Sequence, residues 1–297
     1  MNPDATTTRR LLRRFPNAEL IAADLLRLPL PTPTLPPATT TNHYLVGERD
    51  LLLVDPATPN AAARAQLLDL LDGLKRLGRR LTGLLLTHHH RDHMGAAAFL
   101  ADQLKVPILA HAITARLLDG ELKVDRLVAE GDVLLADGPG WRVLHTPGHA
   151  SGHVILHRAQ GGMIVGDMVA GEGTILVEPG DGSMADYLAS LERMRALSPT
   201  FLAPAHGPVL TDALGTLDHY LRHRRAREAL IFAALSPQWQ RDDALLPAAY
   251  SDVSRLIWPM ALRSLRAHLI HLEEQQLAER QGPRWRRIQG ARWRSSQ

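Results

Sequence analysis

The 297-residue chain contains no cysteine, which excludes disulfides, thiolate nucleophiles and sulfur-ligated metals. Any bound metal therefore has to be held by imidazole or carboxylate groups. Lysine is almost as scarce, since 31 of the 34 basic residues are arginine, and the formal net charge of +3 is weak evidence for an anionic partner. With 45% hydrophobic and 22% charged residues, the composition is that of a globular protein.

The sequence also lacks long apolar runs. No stretch approaches the ~20 apolar residues that a membrane-spanning helix requires, so we expect no membrane association. The N-terminal segment carries four arginines but neither an apolar stretch nor a small-residue cleavage site, which predicts a cytoplasmic protein. The pattern gives no information on the oligomeric state.

Strand and helix patterns alternate over the first two thirds of the chain. Strands are predicted at 17–27, 42–46, 50–54, 81–87, 106–110, 132–136, 141–146, 153–157, 162–166 and 200–204, and helices at 60–77, 96–104 and 184–197. The prolines of 29–37 predict a loop without regular structure. This order predicts a layered α/β domain over residues 1–215, with enough strands for two sheets.

The pattern changes at about residue 216. Helices are predicted at 217–235 and 258–279, and a hairpin with strands 285–288 and 291–294 follows them. We therefore expect residues 216–297 to form a second, mostly helical domain.

Four histidines and an aspartate follow the apolar strand at 81–87. Alternate residues of an extended chain point to the same side, so His88 and His90 are predicted to face one way and His89 the other. Asp92 and His93 then lie in the first turn of a helix and can reach a second position. This His-x-His-x-Asp-His pattern is a strong indication of a metal site.

Three further candidate ligands follow predicted strands: His149 after Thr146-Pro147-Gly148, Asp167 after Val165-Gly166, and His206 after Pro204-Ala205. In an α/β architecture, functional groups gather where strands end. The four motifs together indicate one metal-binding region.

These motifs resemble those of metallo-β-lactamase-fold hydrolases over about residues 17–215. The resemblance implies an αββα sandwich with a site for two Zn²⁺ ions per chain. His88, His90 and His149 would hold one zinc, Asp92, His93 and His206 the other, and Asp167 would bridge both. Asp92 would also orient the attacking water. Asp55 resembles the aspartate of the family's Val-Asp-Thr-Gly motif, which steadies a ligand histidine, although a simple turn-forming aspartate fits its position equally well.

The stretch from Gly166 to Thr174 and the following helix are similar to β-lactamase-like protein 2, a branch with a C-terminal winged-helix-like lobe. Glyoxalase II is another related enzyme, but its lysine- and tyrosine-rich glutathione-binding pattern is not evident here. The substrate-binding residues stay unknown.

The resemblance implies a dinuclear zinc hydrolase of a small ester, thioester or lactone, with a metal-bridging hydroxide as nucleophile. An alternative is a metal-dependent endoribonuclease acting on single-stranded RNA, with the arginines of the C-terminus, interleaved with Trp285 and Trp293, as the RNA-binding surface. The other interpretation of that surface is a solvated basic wing. A structural zinc site in a binding module is a third hypothesis, but seven candidate ligands exceed the four of a closed structural site.

Several other histidines have plainer interpretations. His89 is expected at the solvent or in the outer sphere, and His145 and His153 in packing or outer-sphere hydrogen bonding. His219 and His223 have a helical spacing that suits a metal, but a solvated helix face is the favoured interpretation.

Overall fold

The computed structural model describes residues 5–135, 140–159 and 161–293. The chain divides into two compact units. The first unit comprises Met1–Thr146, Gly152–Thr174 and Pro199–Asp212, and the second comprises Pro147–Ser151, Ile175–Ser198 and Ala213–Gln297.

The first unit contains a seven-stranded sheet in which the strands follow one another in chain order. Its strands are β1 Glu19–Ala22, β2 Leu25–Pro31, β3 Thr40–Val46, β4 Asp50–Val54, β5 Arg80–Leu85, β6 Ile108–His111 and β7 Arg126–Val128. Strands β1 to β4 are antiparallel, and β4 to β7 are parallel. The three parallel pairs need crossovers, which contain helix α2 (Ala61–Arg76), helix α4 (Ala97–Leu104) and the short helix α5 (Ala112–Leu117). Helix α1 is Ala5–Leu12 and α3 is Arg91–Met94.

A five-stranded sheet completes the first unit. It has the order β12-β11-β10-β9-β8 and consists of β8 Val133–Leu134, β9 Trp141–His145, β10 Val154–His157, β11 Met163–Gly166 and β12 Leu202–Pro204. Strands β8 to β11 pair antiparallel, and β12 pairs parallel to β11.

Two apolar layers cover the faces of the first sheet. Residues of both sheets, among them Val54, Leu85, Val154 and Ile164, form one buried cluster, so the sheets pack face to face. Leucines of α2 and α4 pack against the strand residues on the other face of the first sheet. Strands buried on both faces read as near-continuous apolar runs, as in Leu51 to Val54.

The second unit contains helices α6 Met184–Ala196, α7 Ala213–Ala234, α8 Leu246–Ala249 and α9 Trp258–Glu274. A small antiparallel sheet of β13 Gln240–Arg241, β14 Ala278–Gln281 and β15 Arg284–Arg287 has the order β13-β15-β14. Leu265, Leu269 and Trp285 lie in the buried cluster that joins these helices and strands.

The prediction of one strand over 17–27 followed by a proline loop is wrong. The chain forms two strands, and β2 continues through Pro29 to Pro31. Strand β1 pairs with β2 only as far as Arg27, so the later part of β2 is an edge on that side. Proline is tolerated on an edge because no partner strand there needs its missing N–H.

The predicted C-terminal hairpin is also wrong in register. The observed hairpin pairs β14 with β15 around Gly282-Pro283, because helix α9 ends at Glu274 and not at residue 279. Residue 294, the end of the predicted second strand, lies outside the described residues. Helices α1, α5 and α8 and strands β7 and β13 have no counterpart in the sequence predictions.

Among the described residues, no helix combines the length and apolar character needed to cross a membrane. The domain boundary at 215 and the cytoplasmic location stay predictions.

Candidate metal centre

The histidine-rich stretch follows the carboxyl end of β5, a central strand of the first sheet. The chain leaves the strand at Leu85, and His88 follows with no solvent exposure. His90 has an extended backbone and is the N-cap residue of α3, so the direction of the chain changes there. Asp92 and His93 consequently lie in the first turn of this short helix, as the spacing predicts.

His93 is fully buried and has carboxylates on both sides of its ring. Its Nδ1 donates to Asp55 Oδ2 at 2.9 Å. Its Nε2 has no hydrogen-bond partner within the described structure and lies 3.5 Å from Asp167 Oδ2 and 3.9 Å from Asp92 Oδ1. Burial lowers the pKa of His93, but the charges of Asp167 and Asp55 outweigh burial and hold it well above 6.5. The surroundings of Nε2 therefore favour a cation.

His206 approaches the same carboxylates from the end of β12. Its Nδ1 donates to the carbonyl of Thr40 at 3.0 Å. Its Nε2 lies 3.5 Å from Asp167 Oδ1 and 3.7 Å from Asp92 Oδ2. Two imidazoles and two carboxylates thus converge in a buried part of the first unit.

The residues present fit a metal. Zinc bonds of ~2.0–2.1 Å at tetrahedral angles separate two ligand atoms by about 3.4 Å. The observed separations of 3.5 to 3.9 Å between imidazole nitrogens and carboxylate oxygens are too long for good hydrogen bonds but close to that value. Ligand atoms of Asp92, His93 and His206 all lie within 4.8 Å of one another, and so do those of His88, His93 and Asp167.

The three consecutive histidines differ in their surroundings. Thr87 Oγ1 donates to Asp55 and therefore accepts from His88 Nδ1 at 3.0 Å, which leaves the lone pair of His88 on Nε2. That Nε2 lies 3.0 Å from His90 Nδ1. The ring of His88 is 4.5 Å from that of His90 and 6.4 Å from that of His89. The ring of His90 lies 4.7 Å from that of His89, so His88 and His90 are the closest pair by a small margin.

His149 belongs to the second unit. Its Nδ1 donates to the carbonyl of Leu176 at 2.7 Å. His93, His206 and His149 therefore share one feature: each gives its Nδ1 proton to a carboxylate or a backbone carbonyl, as metal-ligating histidines usually do. The assignment of His149 to a metal stays a prediction.

Asp55 contacts His93 of the motif and Thr87, the residue that precedes the motif. Its backbone is left-handed, with φ 51°, at the end of β4. Oδ1 accepts from Thr87 N at 2.8 Å, and Oδ2 accepts from both Thr87 Oγ1 and His93 Nδ1 at 2.9 Å. The carboxylate thus orients His93 directly and His88 through Thr87.

Three groups that hold the predicted ligands have no counterpart among the sequence predictions. Thr34 Oγ1 donates to Asp92 Oδ2 at 2.5 Å, and Thr41 Oγ1 donates to the carbonyl of Asp92 at 2.9 Å. Both threonines are distant in sequence from Asp92 and have no motif that could identify them. Thr87 has a signal, because it is the last residue before the histidines.

His153 is a further group that holds a predicted ligand. It is fully buried, and its Nε2 accepts from the backbone N–H of Asp167 at 3.1 Å while its Nδ1 faces Thr146 Oγ1. The expected outer-sphere hydrogen bonding is therefore present. His145 instead stacks on His111, with ring centroids 4.2 Å apart. His219 stacks on His223 at 6.2 Å.

Trp285 is a core residue of the second unit, and Trp293, which follows the observed hairpin, is partly buried against that core. Trp285 is only 3% exposed, and Trp293 packs against Phe232 with ring centroids 5.9 Å apart. The ring of Trp285 is therefore not a surface on which a base can stack. Binding of RNA by the arginines stays a prediction.

Comparison with known proteins agrees with this geometry. The family model of the metallo-beta-lactamase superfamily matches residues 36–206, and that of the beta-lactamase associated winged helix domain matches residues 243–285. A beta-lactamase-like protein 2 homolog of Drosophila melanogaster is 28% identical, over 79% of this chain and 82% of that protein. An atrochrysone carboxyl ACP thioesterase of Claviceps purpurea is 31% identical, over 77% and 71%.

A crystal structure of a metallo-beta-lactamase family protein from Thermus thermophilus covers 90% of this chain and 100% of its own, with a TM-score of 0.72 and 25% identity. The predicted fold class, an αββα metallo-β-lactamase sandwich with a C-terminal winged-helix-like lobe, is confirmed. The fold, the matching models and the cluster of histidines and aspartates at the strand ends lead to one conclusion: the chain belongs to the metallo-β-lactamase superfamily of hydrolases.

Proposed function

We propose that the chain is a dinuclear zinc hydrolase of a small ester, thioester or lactone. The observation that carries the proposal is the position of His93 and His206, whose Nε2 atoms each lie 3.5 to 3.9 Å from the carboxylates of Asp92 and Asp167. One metal would be held by His88, His90 and His149, and the other by Asp92, His93 and His206, with Asp167 between them. The thioesterase among the relatives supports the substrate class.

When bound, two zinc ions would lower the pKa of a water molecule toward ~7 and polarise the carbonyl of the substrate. The side chains fix the geometry of that chemistry. Asp55 holds the Nδ1 proton of His93 so that Nε2 faces the carboxylates. Asp92 orients the attacking water, and Thr34 restrains its carboxylate by donating to Oδ2. Because the chain has no cysteine, a thiolate cannot serve as the nucleophile.

The test combines metal content with hydrolysis. Zinc-saturated full-length protein is expected to contain two zinc ions per chain by elemental analysis and to hydrolyse at least one member of a panel of acyl thioesters, esters and lactones. Asp167→Asn keeps the shape of the side chain but removes its charge, so two neighbouring cations lose compensation. We expect this variant to lose zinc and activity together.

Asp186→Asn is the matched control, since Asp186 is exposed on the first turn of α6. It is expected to keep both properties. A stoichiometry that stays at one zinc under saturation, or full zinc content in Asp167→Asn, would contradict the dinuclear assignment.

A further inference from the structure

The peptide segment around His149 is held by other parts of the second unit. The carbonyl of Leu176 accepts from His149 Nδ1 at 2.7 Å. Ser151 donates to Asp181 Oδ1 from both its backbone N–H and its hydroxyl. Segment 147–151 is thus attached to the segment that runs from residue 175 toward α6.

The same segment lies directly on the first turns of α6. Gly148 has φ +139°, and a Cβ at this position would lie 2.3 to 2.5 Å from atoms of Tyr187. The carbonyl of Gly148 accepts from Ser183 N at 2.9 Å, and that of Pro147 accepts from Ser190 Oγ at 2.8 Å. The close approach fixes the distance of His149 from α6, because no side chain fits in between.

Arg224 of α7 contacts both supports of His149. Only 4% of this arginine is exposed. One Nη donates to the carbonyl of Ile175, the residue before Leu176, and Cζ lies 5.2 Å from the centroid of the Tyr187 ring. A buried guanidinium is costly unless it is well paired. Here a carbonyl and an aromatic face compensate part of that cost, while Nε has no hydrogen-bond partner among the described residues.

A second arginine holds the other end of this segment. Arg263 of α9 forms a two-bond ion pair with Glu178, two residues after Leu176. The carbonyl that orients His149 therefore lies between two attachments, one to each long helix of the C-terminal region. Both helices begin after the last predicted ligand in the sequence, His206.

We infer that Arg224 and Arg263 are positioning residues for His149 and that they act on it through segment 175–178. This inference rests on the proposed function, in which His149 is a zinc ligand. A histidine ligand needs one tautomer and one ring orientation, and the group that accepts its second N–H sets both. Loss of either arginine loosens the Leu176 carbonyl and with it the imidazole.

The experiment is a zinc titration of the full chain against a chromophoric chelator. Arg224→Met removes the donor and the charge, and is expected to weaken one of two zinc sites roughly tenfold or more, the range of outer-sphere losses. Arg224→Lys can still donate to the Ile175 carbonyl and should restore most of that affinity. Arg263→Gln changes a partly exposed pair and is expected to weaken the same site by about threefold, because Arg224 still holds the segment.

Arg225→Gln is the control, since Arg225 is the next residue of α7 and pairs with Glu192 at the surface. It should bind zinc like the parent chain. Nitrogen-15 NMR of the histidine side chains gives a second readout, in which Arg224→Met broadens or shifts the Nδ1–H signal of His149 and Arg225→Gln does not.

Unchanged zinc affinity in both Arg224→Met and Arg263→Gln would overturn the inference, as would equal losses in Arg224→Met and Arg224→Lys. If Arg224→Met does not fold, Arg263→Gln decides the question, with a loss at one site as support and no loss as refutation. His149→Ala separates the two proposals. If that variant keeps both zinc ions, the proposed ligand set fails; if it loses one while the arginine variants lose none, only the positioning role fails.

Discussion

At the scale of single residues, neighbouring histidines differ because their partners differ. His88 is fully buried and its Nδ1 faces Thr87, whereas His89 and His90 are both partly buried. The ring of His90 lies 4.5 Å from that of His88, and the ring of His89 lies 6.4 Å from it. Identical side chains at consecutive positions are therefore expected to contribute unequally.

Single alanine substitutions test this inequality. His88→Ala and His90→Ala should each lower kcat/KM by more than roughly 100-fold, because even outer-sphere changes at metal sites cost 10–100-fold. His89→Ala should keep most of the activity. Kinetics and zinc content of the three variants provide the measurement, and equal losses would show that the assumed orientation of the histidines is wrong.

His43 gives a prediction about acid stability. It is fully buried, its Nδ1 donates to the carbonyl of Thr41 at 3.0 Å, and its Nε2 accepts from Ala57 N at 3.0 Å. Both ring nitrogens are thus used in the neutral form. Burial lowers the pKa of His43 from 6.5 to about 4.

Between pH 4 and pH 6.5, His43 consequently binds a proton in the unfolded state but not in the folded state. The stability that His43 contributes is complete above pH 6.5 and falls as the pH drops toward 4, by up to about 3 kcal/mol. Urea unfolding of the parent and of His43→Gln at pH 7, 6, 5 and 4 measures the difference. The parent should lose more unfolding free energy over this range, and parallel curves would contradict the assignment.

At the scale of elements, the end of β11 shows how a strand presents a ligand. Gly166 has φ +48°, and a Cβ there would lie 2.5 Å from His153 Nε2, the atom that accepts from the N–H of Asp167. The glycine is therefore required both by its backbone conformation and by the space that His153 occupies.

Gly166→Ala should destabilise the protein by about 1–3 kcal/mol and weaken zinc binding, because His153 and Asp167 have to move. Gly120→Ala is the matched control, since Gly120 also has a positive φ, +80°, but a Cβ there would meet nothing within 4 Å. Gly120→Ala should lower the unfolding free energy only through its backbone conformation, and its zinc affinity should be unchanged. Thermal unfolding and zinc titration compare the two, and equal effects would refute the role of the contact.

The elements also show how far the sequence determines the structure. The buried strands β3, β4 and β5 and helix α2 were predictable, because their apolar periodicity is strong and local. Strand β2 was not, since the tolerance of Pro29 and Pro31 depends on where β1 stops pairing, a tertiary fact. The metal-binding motif lies in one short stretch and could be identified, whereas Thr34 reaches Asp92 from 58 positions away and leaves no pattern in the sequence.

At the scale of the whole molecule, the C-terminal region has two distinct parts. The winged-helix model matches residues 243–285, but the second compact unit also includes α6, α7 and the segments around His149 and Leu176. The first part carries the basic hairpin, and the second holds a proposed ligand. Substitutions in the hairpin and in α7 should therefore have different consequences.

The hairpin arginines are the place to distinguish an acyl substrate from RNA. Arg286 pairs with Glu279 at 2.7 Å and lies over the ring of Trp239, and Arg284 is exposed. Because Trp285 is buried, charge alone is left for binding an anionic chain through this hairpin. We therefore expect the triple change of Arg284, Arg286 and Arg287 to glutamine to leave zinc content and turnover of a small neutral ester nearly unaltered.

If RNA is the substrate, binding should weaken steeply with salt, with a log–log slope of about −0.7 for each phosphate contact on a single strand. The triple variant would then show a flatter slope and less cleavage at the same zinc content. Changing Arg9, Arg10 and Arg13 of the N-terminal region to glutamine removes the same charge from exposed positions elsewhere and separates a local contact from net charge. A neutral ester gains little from distant charge, so its turnover should not depend on the hairpin arginines. If the hairpin variant alone loses both a salt-dependent RNA complex and ribonuclease activity, the substrate is RNA and not an ester.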